Sequence, residues 1–270
     1  MSFRLIEWLC GLPTSLAVAA AMLASAILAS AGLVMVHRLI PHRMRSGHND
    51  VAGFTIGIAG VVYAVLLAFI AVAVWQGYGQ ADAVVQTEAN LVDNLYRDTA
   101  GLPDPQASNV RHTLYVYAET VVQDEWPAMA AGLEEDAAGW QLLDSVHLEL
   151  VQLHPQDLGT ATVQAHMLLA LTDLYNARRG RFHSAVVELP QVLWWNLLAG
   201  AALLLVFSCL FGAPNFIMHA ATVSLLGMSI GLVLVLILLL THPFEGDNHI
   251  SAAAFNVLTR DVERMAYPHP

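Results

Sequence analysis

The chain is 270 residues long, 57% of them hydrophobic and only 12% charged, with a formal charge of −11 at pH 7. Soluble globular domains carry about 25% charged residues, so a soluble enzyme with a solvated surface is excluded, as are a disordered chain and a cysteine-rich secreted scaffold. All 11 basic residues are arginine, which rules out P-loop, Schiff-base and Ser-x-x-Lys chemistry, each of which needs a lysine.

His-Glu-x-x-His does not occur, and the two cysteines, Cys10 and Cys209, stand far apart. One lies near the N-terminus and the other inside an apolar run, which suits neither a structural disulfide nor a thiolate metal site. The chain reads as a membrane protein and not as an enzyme, with no cofactor, no metal site and no nucleic-acid partner.

A bilayer core about 30 Å thick needs about 20 apolar residues in a helix, and four windows qualify, at about 14–36, 53–74, 192–211 and 220–240. Pro13 is well placed to open the first. Ala29-Ser30-Ala31 resembles a signal-peptide cleavage site, but the apolar stretch is too long and runs straight into His37-Arg38, so it is read as a span. Trp194 and Trp195 suit an interfacial belt at the start of the third span, which stops at Gly212-Ala213-Pro214. The fold class is therefore all-α: residues 1–76 form an N-terminal transmembrane hairpin, 77–189 an acidic extramembrane insert, 190–241 a second hairpin and 242–270 a tail.

The insert holds 16 acidic residues and five arginines, a net of −11 equal to that of the whole chain. Its periodicity is helical, punctuated by Pro103, Pro105, Pro127, Pro155 and Pro190. Leu91 and Leu95 continue an amphipathic helix to Gly101-Leu102-Pro103. Further helices are expected at about 107–131, about 139–154 and from about Asp157 towards Pro190. Arg38, Arg43 and Arg45 mark the first loop as cytoplasmic by the positive-inside rule, but Arg4, Arg178, Arg179 and Arg181 balance them on the other side. The sidedness of the insert stays open.

Several segments carry a family resemblance. The stretch Gly53–Tyr96, with its Trp75-x-x-Tyr78-x-x-Ala81, resembles the bestrophin-like domain family of bacterial and plant membrane proteins. So do His48–Gly53, Glu125-Trp126-Pro127-Ala128-Met129 and Thr241-His242-Pro243-Phe244-Glu245-Gly246. That family is similar, more distantly, to bestrophins: pentameric anion channels with four membrane helices per subunit and a helical domain between helices two and three.

The resemblance implies a homo-oligomer, a pentamer, in a bacterial inner membrane, conducting small inorganic ions, with anions such as chloride the implied class. It places Val61, Val65 and Phe69 at the pore neck, Gly57, Trp75 and Tyr78 along its flank or vestibule, and Pro243, Phe244 and Glu245 in the motif after helix four. The departures are Ile70-Ala71, Gln76-Gly77 and Gln80-Ala81-Asp82, which replace charged positions of bestrophins, and an acidic clasp reduced to Glu245 and Asp247.

Each constellation also has a plainer reading. Gly53, Gly57, Val61, Val65, Phe69 and Ala73 recur every four residues along one drifting face, which suits either a neck that gates by dewetting or ordinary helix packing. Ala17, Ala21, Ser25 and Ala29 on span one, and Gly227-x-x-x-Gly231 on span four, read as packing faces. No Asp, Glu or Arg lies within an apolar core, and His219 only opens span four, which argues against ion-coupled transport. His147 and His154, with Asp144 and Glu149, read as a solvated helix face rather than a zinc site, and Glu134-Glu135-Asp136 as an exposed loop. Glu88 and Asp93 suit an acidic vestibule. A non-conducting membrane scaffold or sensor, whose acidic domain binds a partner, accounts for the same features.

Overall fold

A computed structural model describes residues 12–40, 49–132, 137–187, 189–247 and 249–256. Arg4, Cys10, Arg43, Arg45, His48, Glu134-Glu135-Asp136 and the tail from residue 257 lie outside the described residues. The helices are α1 (Thr14–Leu39), α2 (Asn49–Asp98), α3 (Gln106–Thr120), α4 (Trp126–Ala130), α5 (Ala138–Gln152), α6 (Leu158–His183), α7 (Gln191–Cys209) and α8 (Phe216–Leu240). No strand occurs among the described residues. Two compact units result, one from residues 1–77 and 187–242, the other from residues 78–186 and 243 onward.

The first unit contains the four apolar helices α1, the first part of α2, α7 and α8, each long enough to cross a bilayer. Small residues set the approach of α1 and α8. A Cβ on Gly227 would sit 2.8 Å from both Ala29 Cβ and the Ser25 carbonyl, and one on Gly231 would run into the Ser25 side chain. The small faces read from the sequence are therefore one interface, with a hydrogen bond between Ser30 Oγ and Ser224 Oγ at 2.8 Å. Ala29 and Ser30 of the Ala29-Ser30-Ala31 triplet lie inside it. Gly200 of α7 makes room in the same way for the ring of Tyr63 on α2, whose hydroxyl donates to the Leu197 carbonyl at 3.0 Å.

Two asparagines satisfy backbone groups near helix ends in this unit, which matters in a low-dielectric setting. The Asn215 side chain caps α8 by accepting from the N–H groups of Ile217 and Met218. Asn49 at the start of α2 both donates to the Gly212 carbonyl and accepts from the Gly212 N–H.

In the second unit, α2 runs on without a break and buries Ala81, Val85, Ala89, Val92 and Leu95. The helix expected at about 107–131 is interrupted by a π-helical turn at Val121–Glu125. Pro127 has no N–H and its ring crowds the preceding turn; the wider π turn accommodates it and turns Glu125 and Trp126 inward. The helix from Asp157 ends at His183, short of Pro190. The chain after α8 folds back into this unit, where Phe244, Ile250 and Phe255 are buried.

Two expectations follow. Gly227→Val overpacks the α1–α8 interface and lowers the thermal midpoint in detergent, by a cost of about 1–3 kcal/mol; an unchanged midpoint would show that the two helices do not meet there. Asp157 caps α6 by accepting from the Thr160 N–H at 2.9 Å and its hydroxyl at 2.7 Å, and these bonds hold its carboxyl below the ordinary value. Its contribution is present above the unfolded value of about 3.9 and is lost as pH falls through the lower folded one. The midpoint difference between wild type and Asp157→Ala, measured against pH, is therefore largest near neutrality and vanishes in acid.

Candidate functional site

The neck residues read from the sequence lie on one open side of α2. Val61, Val65 and Phe69 are 65%, 49% and 73% exposed, and Trp75 is 63% exposed. A Cβ on Gly57 would meet nothing within 4 Å. Tyr63, Ile70 and Val74, on the opposite side of the same helix, are buried against α7 and α8. Within the chain, then, α2 turns one apolar face inward and presents a second to whatever surrounds it. Tyr78, named with Trp75 as a flank residue, is half-buried and packs on the core of the second unit.

Pro243, Phe244 and Glu245 are placed differently from a pore flank. Pro243 and Phe244 are buried, Phe244 meets the edge of the Trp126 ring at 5.7 Å, and Phe255 lies 6.0 Å from Trp126 on another side. Trp126 Nε1–H donates to the Ile250 carbonyl at 2.9 Å, and the Pro243 carbonyl accepts from the Ile250 N–H at 2.8 Å. The Glu-Trp-Pro and Pro-Phe elements of the sequence therefore meet in one aromatic clasp. Glu245 is half-buried beside the turn at Gly132, whose φ of 67° suits only glycine among unstrained residues.

Next to Trp126 lies a cluster that was not read from the sequence. Glu88 of α2, Glu125 of the π turn, and Arg178 and Arg181 of α6 are all fully or almost fully buried. Arg178 grips both Glu125 oxygens, with Nη2 at 2.6 Å from Oε1 and Nη1 at 2.9 Å from Oε2. Arg181 bridges the two carboxylates: its Nε is 2.7 Å from Glu88 Oε2 and its Nη2 2.5 Å from Glu125 Oε2. The fifth member is Tyr117 of α3, which donates to Glu88 Oε1 at 2.5 Å.

Aromatic faces complete the enclosure. Trp140, Phe182 and Tyr117 surround the Arg178 guanidinium at 4.9, 5.1 and 5.5 Å, while Phe182 and Trp126 hold that of Arg181 at 4.6 and 5.4 Å. A Cβ on Gly139 of α5 would collide with the Arg178 guanidinium and the Glu125 carboxylate.

Two carboxylates and two guanidiniums cancel, so the cluster is neutral as a whole, and paired, hydrogen-bonded charges are the tolerable form of buried charge. Burial, and next the charge of Glu88, pushes the Tyr117 hydroxyl well above its ordinary value, so it stays a donor. Burial pulls Arg181 down, but the charge and hydrogen bond of Glu88, with Tyr117 and Glu125, more than offset this and leave it raised.

Glu88 therefore does not suit the acidic vestibule expected for it, because it faces the core. Asp93, its proposed companion, pairs with Arg97 at 2.8 Å. A signal for the cluster existed in the sequence. Glu88 completes the apolar series Ala81, Val85, Val92, Leu95, and Arg178 and Arg181 continue Met167, Leu171, Leu174, all at spacings of three or four. Charges at core positions of a helix point to a buried pair.

Elsewhere in this unit, Asp144 accepts from the Tyr175 hydroxyl at 2.7 Å, and Glu149 accepts from Asn109 at 3.3 Å. Among the described residues no three His, Cys, Asp or Glu side chains come together as a metal ion requires.

Four apolar membrane-length helices and a helical unit between the second and third define an all-helical integral membrane protein. Residues 23–255 match the family described as bestrophin-like domain, and the chain belongs to that family. No curated protein matches it in sequence.

Its fold is similar to that of a bacterial Bestrophin homolog from Klebsiella pneumoniae, solved as single-site variants. One gives a TM-score of 0.66 at 15% identity, covering 91% of this chain and 99% of that one. A second gives 0.64 at 15%, covering 92% and 98%. A crystal structure described only as a membrane protein gives 0.65 at 15% identity, covering 92% and 98%.

Removing one member of the buried cluster leaves its partners charged and desolvated. Glu125→Ala is expected to destabilise the protein by about 3–5 kcal/mol, while the double variant Glu88→Met/Arg181→Met, which removes a pair, costs less than either single change. Denaturant titration in detergent checks both; a double variant as unstable as the sum of its singles would contradict the pairing.

Proposed function

We propose that copies of this chain assemble as a ring in the bacterial inner membrane, with α2 of each copy facing a shared axis. Val61, Val65 and Phe69 then form a hydrophobic neck through which small inorganic ions pass. Five copies is the number that the resemblance to bestrophins implies. The observation that carries this reading is the second apolar face of α2, opposite Tyr63, Ile70 and Val74, which stays exposed among the described residues.

Physical chemistry supports a neck of this kind. Water leaves a narrow apolar constriction readily, so rings of valine and phenylalanine can hold a pore closed and open by small rotations of the helix. Such a neck needs no buried charge, in keeping with spans whose apolar cores hold no Asp, Glu or Arg. The open space at Gly57 and Gly60 lets a neighbouring helix approach closely.

The scaffold reading has one observation in its favour. Leu148, Val151, Leu158 and Leu169 are exposed on the extramembrane unit, as a partner-binding surface requires.

Mass measurement of the detergent-purified protein and planar-bilayer recording separate the two. The channel reading expects an oligomer large enough to enclose an axis and ion currents, with Phe69→Ala giving a larger unitary conductance than wild type. A monomer or dimer, or silence in both wild type and variant, supports the scaffold and overturns the pore.

A further inference from the structure

The connection between α7 and α8, within the first unit, encloses a cavity of about 370 Å³. Phe211 and Ala213 form its walls, and Met218 and Thr222 stand exposed at its mouth. Ser208, His219 and Val223 also line it, each less than a tenth exposed, and so make its floor. Small-molecule sites span roughly 300–1,000 Å³, and about 150 Å³ already holds a benzene ring. The space suits a small ligand.

The floor carries two polar atoms that the fold leaves unmatched. His219 Nε2 lies 3.0 Å from the Ser208 carbonyl. A carbonyl only accepts, so Nε2 carries the hydrogen and Nδ1 of the neutral ring is an acceptor. Among the described residues Nδ1 has no hydrogen-bond partner, and neither has the Ser208 hydroxyl. Neither atom is sealed off, so both reach the cavity that their residues line. Thr222 differs, because its hydroxyl donates to the His219 carbonyl at 2.9 Å. Buried polar groups are nearly always satisfied. An unmatched acceptor and an unmatched hydroxyl at the floor of an apolar cavity are the means by which a site orients a ligand.

We propose that this cavity binds a small, uncharged, largely apolar alcohol, oriented by Ser208 and His219. A hydroxyl is the head group that matches both atoms, since it donates to Nδ1 while accepting from Ser208. No Arg, Asp or Glu lines the cavity, so a charged head would lose its water there without a counter-charge, which is costly. A plain hydrocarbon would leave both polar atoms unpaired. The apolar body of the ligand lies against Phe211, Ala213, Met218 and Val223. None of the lining residues belongs to α2, so the site stands whether or not the chain conducts.

Photolabelling of the full-length protein in reconstituted vesicles tests the proposal, with an octanol carrying a diazirine on its chain as the probe. Mass spectrometry of the peptides is expected to find saturable labelling within residues 208–223. Excess octanol should compete with the probe, whereas octane and ionised octanoate should not. Ser208→Ala breaks no side-chain hydrogen bond among the described residues, so its thermal midpoint should match that of wild type. Its apparent affinity for the probe should nonetheless fall about three- to tenfold, as the loss of one neutral hydrogen bond implies. Octane or octanoate competing as well as octanol overturns the assignment of an alcohol. Labelling spread along the spans without saturation, or left unchanged by Ser208→Ala, overturns the site, as does a lowered midpoint in that variant, which would show the hydroxyl bonded within the fold.

Discussion

The extramembrane unit is organised around four charges removed from water. Arg181 lies between Glu88 and Glu125, and Arg178 closes on Glu125 from the other side, so that α2, the π turn and α6 are tied to one point. Desolvating four charges is costly, and such a cluster persists only where geometry and hydrogen bonding are nearly complete. Completion here comes from Tyr117, from three aromatic faces around Arg178, and from the missing side chain of Gly139. Apolar residues of similar volume could fill the same space; what they would lack is direction, because an Arg–carboxylate fork fixes both distance and angle.

Glu88 belongs to an inward stripe of α2 in the second unit, with Ala81, Val85, Val92 and Leu95, at the three-and-four spacing of one helical face. Anchoring Glu88 therefore fixes which face of this stretch of α2 packs on the core of the second unit. Within the membrane unit, the fit of Tyr63 against Gly200 and its hydrogen bond to Leu197 set the direction in which Val61, Val65 and Phe69 face. One helix thus carries an inward face built for packing and an outward face left for other molecules. The proposed channel uses the second.

Much of this architecture is legible in the sequence because it rests on apolar periodicity and small-residue spacing. The four spans, the small-residue packing faces of α1 and α8, and the helical insert all follow from patterns local to one helix, whereas the pairing of those two faces with each other comes only from the fold. The meeting of Glu-Trp-Pro with Pro-Phe does not, because Trp126 and Phe244 are 118 positions apart and only the fold brings their rings together. The buried cluster was obscured by composition: in an insert with 16 acidic residues, two carboxylates and two arginines look like surface charge until their helix positions are counted. The π turn is likewise invisible to periodicity, since Pro127 signals only that a regular helix cannot continue.

The central claim is that the outward face of α2 meets water rather than lipid. Cysteine labelling tests it most directly, because thiol reagents that do not enter membranes react with the thiolate, which forms only where water reaches. In a background with the native cysteines replaced, Val65→Cys is expected to react with such a reagent in reconstituted vesicles. Leu23→Cys and Leu28→Cys, exposed on α1 and taken to face lipid, should stay unmodified. Equal protection at all three positions would contradict the account.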